Sequence, residues 1–300
     1  MHRNEWFSCF LSKFAAENLL SFIENMGIII GIDVGISTTK IVGIRHGAVI
    51  SPIRISAADP VTSLYGAFGK YLYDNKIDLS DIEQVMMTGV GSAYVETPVY
   101  GLPTAKADEF MADGLGAMYE SGKDHVIVVS MGTGTSLVRC DGDTIQHIGG
   151  IGIGGGTLTG LSRVMLQTSD IREIQELARQ GDISNINLLI GDICTHPLPG
   201  LPMDATASLF AKAQYNASRE DLARGIICLV LQTIGSTAVI SSISTGIRDF
   251  VLIGNLTLLP ECEHVFPQLE KFYNVRFFVP KYSEFCTAIG AALYYLNNKR

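Results

Sequence analysis

The chain has 300 residues, of which 47% are hydrophobic and 17% are charged, and its net charge at pH 7 is -8. This length allows one large domain or two domains of about 150 residues each. The composition excludes a disordered chain, a coiled coil and a fibre. The negative charge argues against a nucleic-acid-binding protein, which carries a basic face, and favours a cytoplasmic enzyme with a local anion site.

Two further features bear on membranes and redox compartment. The chain contains no uninterrupted apolar run of the roughly 18 residues that span a bilayer, and its first 25 residues do not have the pattern of a signal peptide. We interpret residues 1–25 as an N-terminal extension of uncertain role, with Met26 as an alternative start. The cysteines lack metal-type spacing, which predicts free thiols in a reducing compartment, and a cluster bridging two subunits is the alternative. They are Cys9, Cys140, Cys194, Cys228, Cys262 and Cys286.

The first part of the chain alternates between strand and helix patterns. An apolar run that ends in Asp and Gly predicts a buried strand, and two strands of an antiparallel meander follow it. Segments with apolar residues at helical spacing predict helices. In chain order the predicted elements are strands 27–35, 40–44 and 46–53, a helix 60–75, a strand 82–88 and a helix 105–119.

The same pattern restarts near residue 125. Residues 126–140 predict a strand, a glycine turn and a second strand, and Asp141-Gly142-Asp143 predicts a hairpin. A glycine-dense loop at 149–160 leads into a helix that we expect to begin at Leu161. The remaining predicted elements are helices 170–180, 220–242 and 288–296 and strands 250–254 and 275–279.

A strand with a glycine turn and following meander strands therefore occurs twice, at Ile29 and at Val126. We interpret this as a weak internal duplication that gives two similar α/β halves, with a ligand-binding cleft between them. We place the halves at residues 26–105 and 106–300, because Pro98 and Pro103 mark the best boundary.

The first segment with candidate chemistry is DVGISTTK, residues 33–40. An acid at a strand end can hold Mg²⁺ through water when phosphates supply other ligands, which makes Asp33 the metal candidate. Gly35 lets the turn approach a phosphate, Ser37 supplies donors and Lys40 adds charge. A plain glycine turn with an Asx cap is the structural alternative.

The segment GTGTS at 132–136 repeats this turn in the second half. Gly132 and Gly134 alternate with the hydroxyl-bearing Thr133 and Thr135. Two such loops facing one cleft could grip the phosphates of a nucleotide from both sides. A tight hairpin explains the segment equally well when it is taken alone.

A third segment places six glycines in the eight residues 149–156, followed by Thr157. Because glycine raises the entropy cost of folding, this density indicates a backbone that wraps an anion near a helix N-terminus. It is neither a P-loop nor a dinucleotide fingerprint, since no Gly-Lys-Ser/Thr follows and a hairpin precedes it. A flexible linker is the alternative.

Two weaker signals complete the set. Glu109, near the start of a predicted helix, could take a proton from a substrate hydroxyl, as an acid does in kinase phosphoryl transfer, with Asp108 as its rival. An ordinary first-turn acid that favours the helix dipole is the alternative. Gly254 and Asn255 follow a predicted strand and, with the small residues of 285–292, could admit an adenine or simply allow close helix-to-sheet packing.

The segments GIDVGISTTK, TGVG, KADEF, GTGTS, GGIGIGGGTLTGL and AIGAAL, in this order, resemble those of the actin–Hsp70–sugar-kinase superfamily. Within it, the chain resembles the type II, eukaryotic-like pantothenate kinases from Gly27 to Leu296, most specifically in the glycine-rich segment. The resemblance implies an α/β fold of two ribonuclease-H-like halves with the active site in the cleft between them.

The resemblance also implies an activity: ATP- and Mg²⁺-dependent phosphorylation of pantothenate to 4′-phosphopantothenate, the first step of coenzyme A biosynthesis. It implies a cytoplasmic homodimer, with the low-charge segment 225–242 as a candidate interface. Neither a nucleic acid nor a membrane is expected as a partner.

Roles for individual residues follow from the same resemblance. Glu109 matches the catalytic base, Asp33 lies near Mg²⁺ and the phosphates, and Thr133 lies near the transferred group and contacts both ATP and substrate. The nucleotide-binding positions are Asp33, Gly35, Ser37 and Lys40, Gly132, Thr133, Gly134 and Thr135, Gly154, Gly155, Gly156 and Thr157, and Gly254 and Asn255.

Three positions depart from the family pattern. Ile36 replaces a second glycine of the first loop, and Thr287 replaces a small residue near the closing helix. His147 stands where the family has a substrate-binding arginine, so a fixed planar cation suited to a carboxylate is lost.

The alternative function is an ATP-driven activator of a radical dehydratase, which bridges its dimer with an iron–sulfur cluster held by cysteines.

Overall fold

The computed structural model describes residues 27–36, 38–56, 59–95, 98–196 and 200–298. Strands are numbered β1 Ile28–Val34, β2 Thr38–Arg45, β3 Ala48–Ser56, β4 Ile82–Thr88, β5 Thr104–Lys106, β6 His125–Met131, β7 Thr135–Asp141, β8 Thr144–Ile151, β9 Leu188–Leu189, β10 Thr206–Ser208, β11 Asp249–Ile253 and β12 Arg276–Phe278. Helices are numbered α1 Pro60–Asn75, α2 Glu109–Ser121, α3 Gly155–Leu166, α4 Ile171–Gln180, α5 Ile190–Ile193, α6 Arg219–Ser242, α7 Cys262–Tyr273 and α8 Cys286–Asn298. Most predicted elements are therefore present.

Two five-stranded sheets repeat one arrangement. The first has the order β3-β2-β1-β4-β5, and the second has the order β8-β7-β6-β11-β12. In the first sheet β1 pairs antiparallel with β2 and parallel with β4, and β2 pairs antiparallel with β3. The repeated strand order agrees with the predicted duplication of a strand followed by meander strands, and a short third sheet pairs β9 with β10.

Contacts divide the chain into two units. One holds residues up to 128, 138–147 and 279 onward, and the other holds 129–137 and 148–278. The boundary expected at 105–106 stays a prediction. The packing groups α2 and α8 with the first sheet, because α8 lies against β1, β4 and α2.

In the first unit β1 is buried on both faces, which explains its continuous apolar sequence. Its even-numbered side chains, such as Ile30 and Ile32, pack in one cluster with Leu64 and Phe68 of α1. On the opposite face lies α8, and a Cβ at Gly31 would overlap the backbone of that helix. Glycine at position 31 therefore lets α8 approach the strand.

In the second unit α6 packs against α3, α4 and α7. Among the described residues it is the one helix long and apolar enough to cross a membrane by length and composition, but 61% of its most apolar window is buried within the protein. Its low charge is that of a core helix. Phe250, Phe266 and Phe277 form an aromatic cluster nearby, with ring centroids 4.9 to 5.0 Å apart.

Two element predictions were wrong in detail, and one long element was missed. The helix expected from Ala105 begins at Glu109, because residues 104–106 pair with β4 as a strand and Asp108 caps the helix. The helix expected from Leu161 begins at Gly155, since tertiary hydrogen bonds hold glycine residues in its first turn. Helix α7 was not predicted.

Candidate functional site

The first glycine turn joins β1 to β2 and carries a buried ion pair. Asp33 and Lys40 are Cα partners across the two strands. The Nζ of Lys40 lies 3.4 Å from Oδ2 of Asp33, and the two side chains are only 7% and 13% exposed, respectively. Gly35 closes the turn by donating its N–H to the Thr38 carbonyl over 2.9 Å. Ser37 lies outside the described residues.

Helix α2 presents Glu109 as its first residue. The side chain of Asp108 caps this helix by accepting the Met111 N–H over 2.9 Å. Burial of the Glu109 carboxyl raises its pKa above the usual value, and the negative charges of Asp33 and Asp108 raise it further, whereas Lys40 lowers it. Glu109 is thereby suited to accept a proton, while Asp108 is engaged as a cap.

The TGVG turn after β4 completes the surroundings of Asp33. Thr88 is its Cα partner in β4, and Gly89 follows with a φ of 83°. A Cβ at Gly89 would lie 2.7 Å from Oδ1 of Asp33 and 2.6 Å from the Val34 carbonyl oxygen. A side chain at position 89 would therefore displace the carboxylate. From the sequence we assigned no role to Thr88 or Gly89, although the TGVG motif contains both.

The second glycine turn, between β6 and β7, contains no ionisable side chain. Gly132 and Thr133 are exposed, whereas Thr135 is buried and its hydroxyl donates to the Ile153 carbonyl over 2.8 Å. The turn thus offers backbone groups and one exposed hydroxyl, and it is tied to the segment that precedes α3.

The glycine-rich segment packs backbone to backbone against this second turn. A Cβ at Gly150 or Gly154 would lie 2.6 Å from a carbonyl oxygen, that of Thr135 or Thr133 respectively. Gly155 and Gly156 donate their N–H groups to the carbonyls of Gly132 and Thr133, over 2.8 and 2.9 Å. Close packing within the protein therefore accounts for several glycines that we attributed to a bound anion.

Two bonds around Thr157 shape the start of α3. Its hydroxyl donates to the Gly152 carbonyl over 3.0 Å and lies 3.3 Å from the Gly154 nitrogen. The loop is thus held in one conformation by internal bonds, and the flexible-linker alternative does not describe it. Whether Gly154, Gly155, Gly156 and Thr157 hold a nucleotide stays a prediction.

The turn after β11 holds the other predicted nucleotide residues. Gly254 has a φ of 93°, and a Cβ there would lie 2.6 Å from the Met131 carbonyl oxygen. The side-chain oxygen of Asn255 is buried and has no hydrogen-bond partner among the described residues. Buried polar atoms are normally satisfied, so this oxygen is available to a bound polar ligand.

The departures from the family pattern have structural counterparts in the first unit. His147 is exposed and its ring stacks on Phe110, with centroids 3.8 Å apart and an angle of 10° between the planes. Phe110 directly follows Glu109 in α2. Thr287 donates its hydroxyl to Oδ1 of Asp113 over 2.6 Å in a buried contact between α8 and α2.

The donor set can be tested against the expected ions. No group of three metal-ligating side chains occurs among the described residues. The single carboxylate of Asp33 is enough for Mg²⁺, because this ion takes one or two carboxylates and completes its shell with phosphate oxygens and water. Burial raises the pKa of Cys140 to about 12 and that of Cys262 to about 12, so both thiols are protonated at neutral pH.

Comparison with known families adds to this geometry. Residues 117–293, more than half of the chain, match the family model described as Fumble. The chain belongs to the Fumble family. This is the type II pantothenate kinase family, so the resemblance inferred from the motifs is confirmed. Asp33, Lys40 and Glu109 lie outside the stretch that matches the Fumble model.

Curated relatives point the same way. The type II pantothenate kinase of Staphylococcus aureus strain USA300 is 30% identical over 179 residues, which are 58% of this chain and 66% of that protein. The protein of strain NCTC 8325 matches to the same extent. The alignment thus spans just under two thirds of the length of these Fumble-family relatives.

Solved structures share the fold. The activator of 2-hydroxyisocaproyl-CoA dehydratase from Clostridium difficile, with bound ADPNP, has a TM-score of 0.65 and 17% identity, covering 90% of this chain and 94% of that one. The hexokinase of the ROK family from Thermus thermophilus has a TM-score of 0.54 and 12% identity, covering 90% and 99%. These likenesses confirm the predicted actin-like α/β fold, and at such identities they show the fold alone.

Proposed function

We propose that this chain is an ATP-dependent pantothenate kinase that forms 4′-phosphopantothenate and ADP. Membership of the Fumble family and the named activity of the Staphylococcus aureus relatives support the substrate class. The observation that carries the proposal is the cluster of Asp33, Lys40 and Glu109 in the first unit, where a buried ion pair adjoins a carboxyl of raised pKa.

In the proposed reaction Glu109 accepts the proton of the primary hydroxyl of pantothenate. The hydroxyl oxygen forms a bond to the γ-phosphorus in line with the bond to the β-phosphate bridging oxygen, which breaks as ADP leaves. Lys40 stabilises negative charge on the phosphates, and positioning supplies most of the acceleration. Asp33 would hold Mg²⁺, which binds one or two carboxylates beside phosphate oxygens and would neutralise the charge of those oxygens.

The nucleotide is assigned to the glycine turns. Exposed Gly132 and Thr133 offer donors to the phosphates, the neighbouring segment 154–157 holds the turn in shape, and Gly254 with Asn255 receives the adenosine side. Gly35 and Ser37 belong to the first loop. The unpartnered buried oxygen of Asn255 supports this assignment, because a ligand donor would satisfy it.

His147 and Thr133 are assigned to pantothenate. The imidazole of His147 stacks on Phe110, the residue that follows Glu109 in α2, which supports a place for His147 beside the acceptor hydroxyl. We propose further that the enzyme is a cytoplasmic homodimer, with residues 225–242 of α6 as a candidate interface, where the apolar side chain of Ile240 is 62% exposed.

The test is ADP release with ATP and Mg²⁺ over a panel of pantothenate, pantetheine and simple hydroxy acids. Pantothenate-dependent release supports the proposal, and release that depends on another acceptor overturns the substrate. Iron in the purified protein together with acceptor-independent ATP hydrolysis would indicate a dehydratase activator instead.

The substrate position has its own prediction. His147→Arg should lower the KM for pantothenate at pH 8 by about tenfold, the effect of one charge-assisted bidentate contact, with kcat little changed. Arginine keeps the stack on Phe110, since guanidinium planes pack on aromatic faces. An unimproved KM would remove His147 from the carboxylate site.

A further inference from the structure

One buried side chain beside the first turn has no partner. Thr88, at the end of β4, is 1% exposed, and its hydroxyl oxygen has no hydrogen-bond partner among the described residues. Such a hydroxyl costs folding free energy in the state in which it has no partner. The packing of the fold does not explain why a hydroxyl stands at this position, so we looked for a role in ligand binding.

Strand register places Thr88 in a row with the ion pair. Lys40 of β2, Asp33 of β1 and Thr88 of β4 are successive Cα partners across three neighbouring strands. Partners in register share one face of a sheet. The row therefore puts an ammonium on one side of the Asp33 carboxylate and a hydroxyl on the other.

The two oxygens of Asp33 face different neighbours. Oδ2 is 3.4 Å from the Lys40 Nζ, whereas Oδ1 would lie 2.7 Å from a Cβ at Gly89, the residue next to Thr88. Oδ1 is thus directed toward the end of β4. Gly89 leaves room there that any side chain would fill.

We propose that Thr88 is a positioning residue for Asp33, whose carboxylate accepts a hydrogen bond from the Thr88 hydroxyl when the nucleotide–magnesium complex binds. Lys40 and Thr88 then hold the carboxylate from both sides, which fixes the oxygens that face the ion. The proposal rests on the proposed function only in taking a nucleotide with Mg²⁺ as the ligand.

The role predicts opposite effects on the free and the bound protein. Thr88→Val keeps the shape and removes a hydroxyl that is unsatisfied in the free protein, so Tm without ligand should be unchanged or higher. Mg²⁺ raises the affinity for ATP by some factor, and the same substitution should make this factor about tenfold smaller. That is the effect expected from the loss of one hydrogen bond to a charged group. ATP affinity in EDTA should stay at the wild-type value.

Calorimetric titration of ATP with Mg²⁺ and with EDTA, together with thermal melts, tests this on the full chain. Thr88→Ser restores the hydroxyl and should bind like wild type. Thr104→Val, in β5 of the same sheet but outside the row, removes a hydroxyl that accepts from the Val99 N–H and donates to the Leu102 carbonyl, so it should lower Tm and leave the magnesium-dependent gain unchanged.

The outcomes separate the two proposals. A Thr88→Val protein with the wild-type magnesium gain, or one that loses affinity equally with and without Mg²⁺ and melts lower, would make Thr88 structural and overturn the inference. Wild-type protein that binds Mg²⁺–ATP but does not phosphorylate pantothenate contradicts only the proposed substrate. No magnesium-dependent binding in wild type would overturn both.

Discussion

The first and second glycine turns occupy equivalent places in two sheets of the same strand order, yet they carry different chemistry. Counting from Gly35 and Gly132, the position two residues earlier is Asp33 in the first turn and Ser130 in the second. The position five residues later is Lys40 in the first and Leu137 in the second. The first repeat supplies charged side chains, and the second supplies backbone and a hydroxyl.

This difference shows that equivalent positions in two sheets of the same strand order can carry different chemical groups. The sheet fixes where a strand ends and where the following turn projects, and the residue types then differ freely between the copies. In the first copy a carboxyl of raised pKa and an ion pair adjoin the turn. In the second, glycines pack on the turn, so its stability rests on close backbone contact.

The largest effect is expected from Glu109→Gln, which removes the carboxyl beside the first glycine turn. We expect kcat to fall by at least about 100-fold, the scale of general-base loss, while ATP affinity stays near wild type. Steady-state kinetics and calorimetry measure the two. Glu263→Gln, which changes a first-turn glutamate of α7, is the control and should retain kcat. Wild-type kcat in Glu109→Gln would assign the base to another residue.

Two substitutions replace the ion pair of the first turn by the residue types found in the second, where Ser130 and Leu137 stand at the equivalent positions. Lys40→Leu alone leaves Asp33 buried without its cation and should cost about 2 kcal/mol of unfolding free energy, below the full cost of breaking a wholly buried pair. Adding Asp33→Ser should recover about half of that loss. Urea unfolding of both variants measures it, and a double variant less stable than Lys40→Leu would contradict the pairing.

Backbone packing in the second copy predicts a contrast between two glycines. Gly154→Ala places a Cβ 2.6 Å from the Thr133 carbonyl oxygen and should lower stability by about 2 kcal/mol, the usual cost of overpacking. Gly152→Ala has no atom within 4 Å of its Cβ and should be nearly neutral. Thermal unfolding compares them. Equal melting temperatures would mean that the loop does not need this contact.

The smallest expected effect is a shift in pH dependence. Burial and the charges of Asp33 and Asp108 raise the pKa of Glu109, so kcat should rise with pH through a value above the ordinary one for glutamate as the base ionises. Asp108→Asn removes one negative charge but keeps a capping side chain, so this limb should move to lower pH. A limb that moves upward would contradict Glu109 as the titrating base.

The sequence by itself determined the repeated sheet, the two turns and the family. Period-two and apolar patterns specify strands locally, and the glycine and hydroxyl spacings lie within short segments. For that reason Asp33, Lys40 and Glu109 could be named from the sequence, and the strands and the helix predicted to carry them are present. Local pattern could not place the start of α2, because residues 104–106 are strand only through their pairing with β4.

Tertiary structure alone decided what many of these residues touch. The glycines at 150 and 154 contact a hairpin that precedes them in the chain, and no local pattern reports that distance of approach. The raised pKa of Glu109 comes from burial and from Asp33, which is 76 residues earlier. The register of β4 against β1 places Thr88 beside Asp33, and neither strand's sequence specifies which residue of the other strand lies opposite.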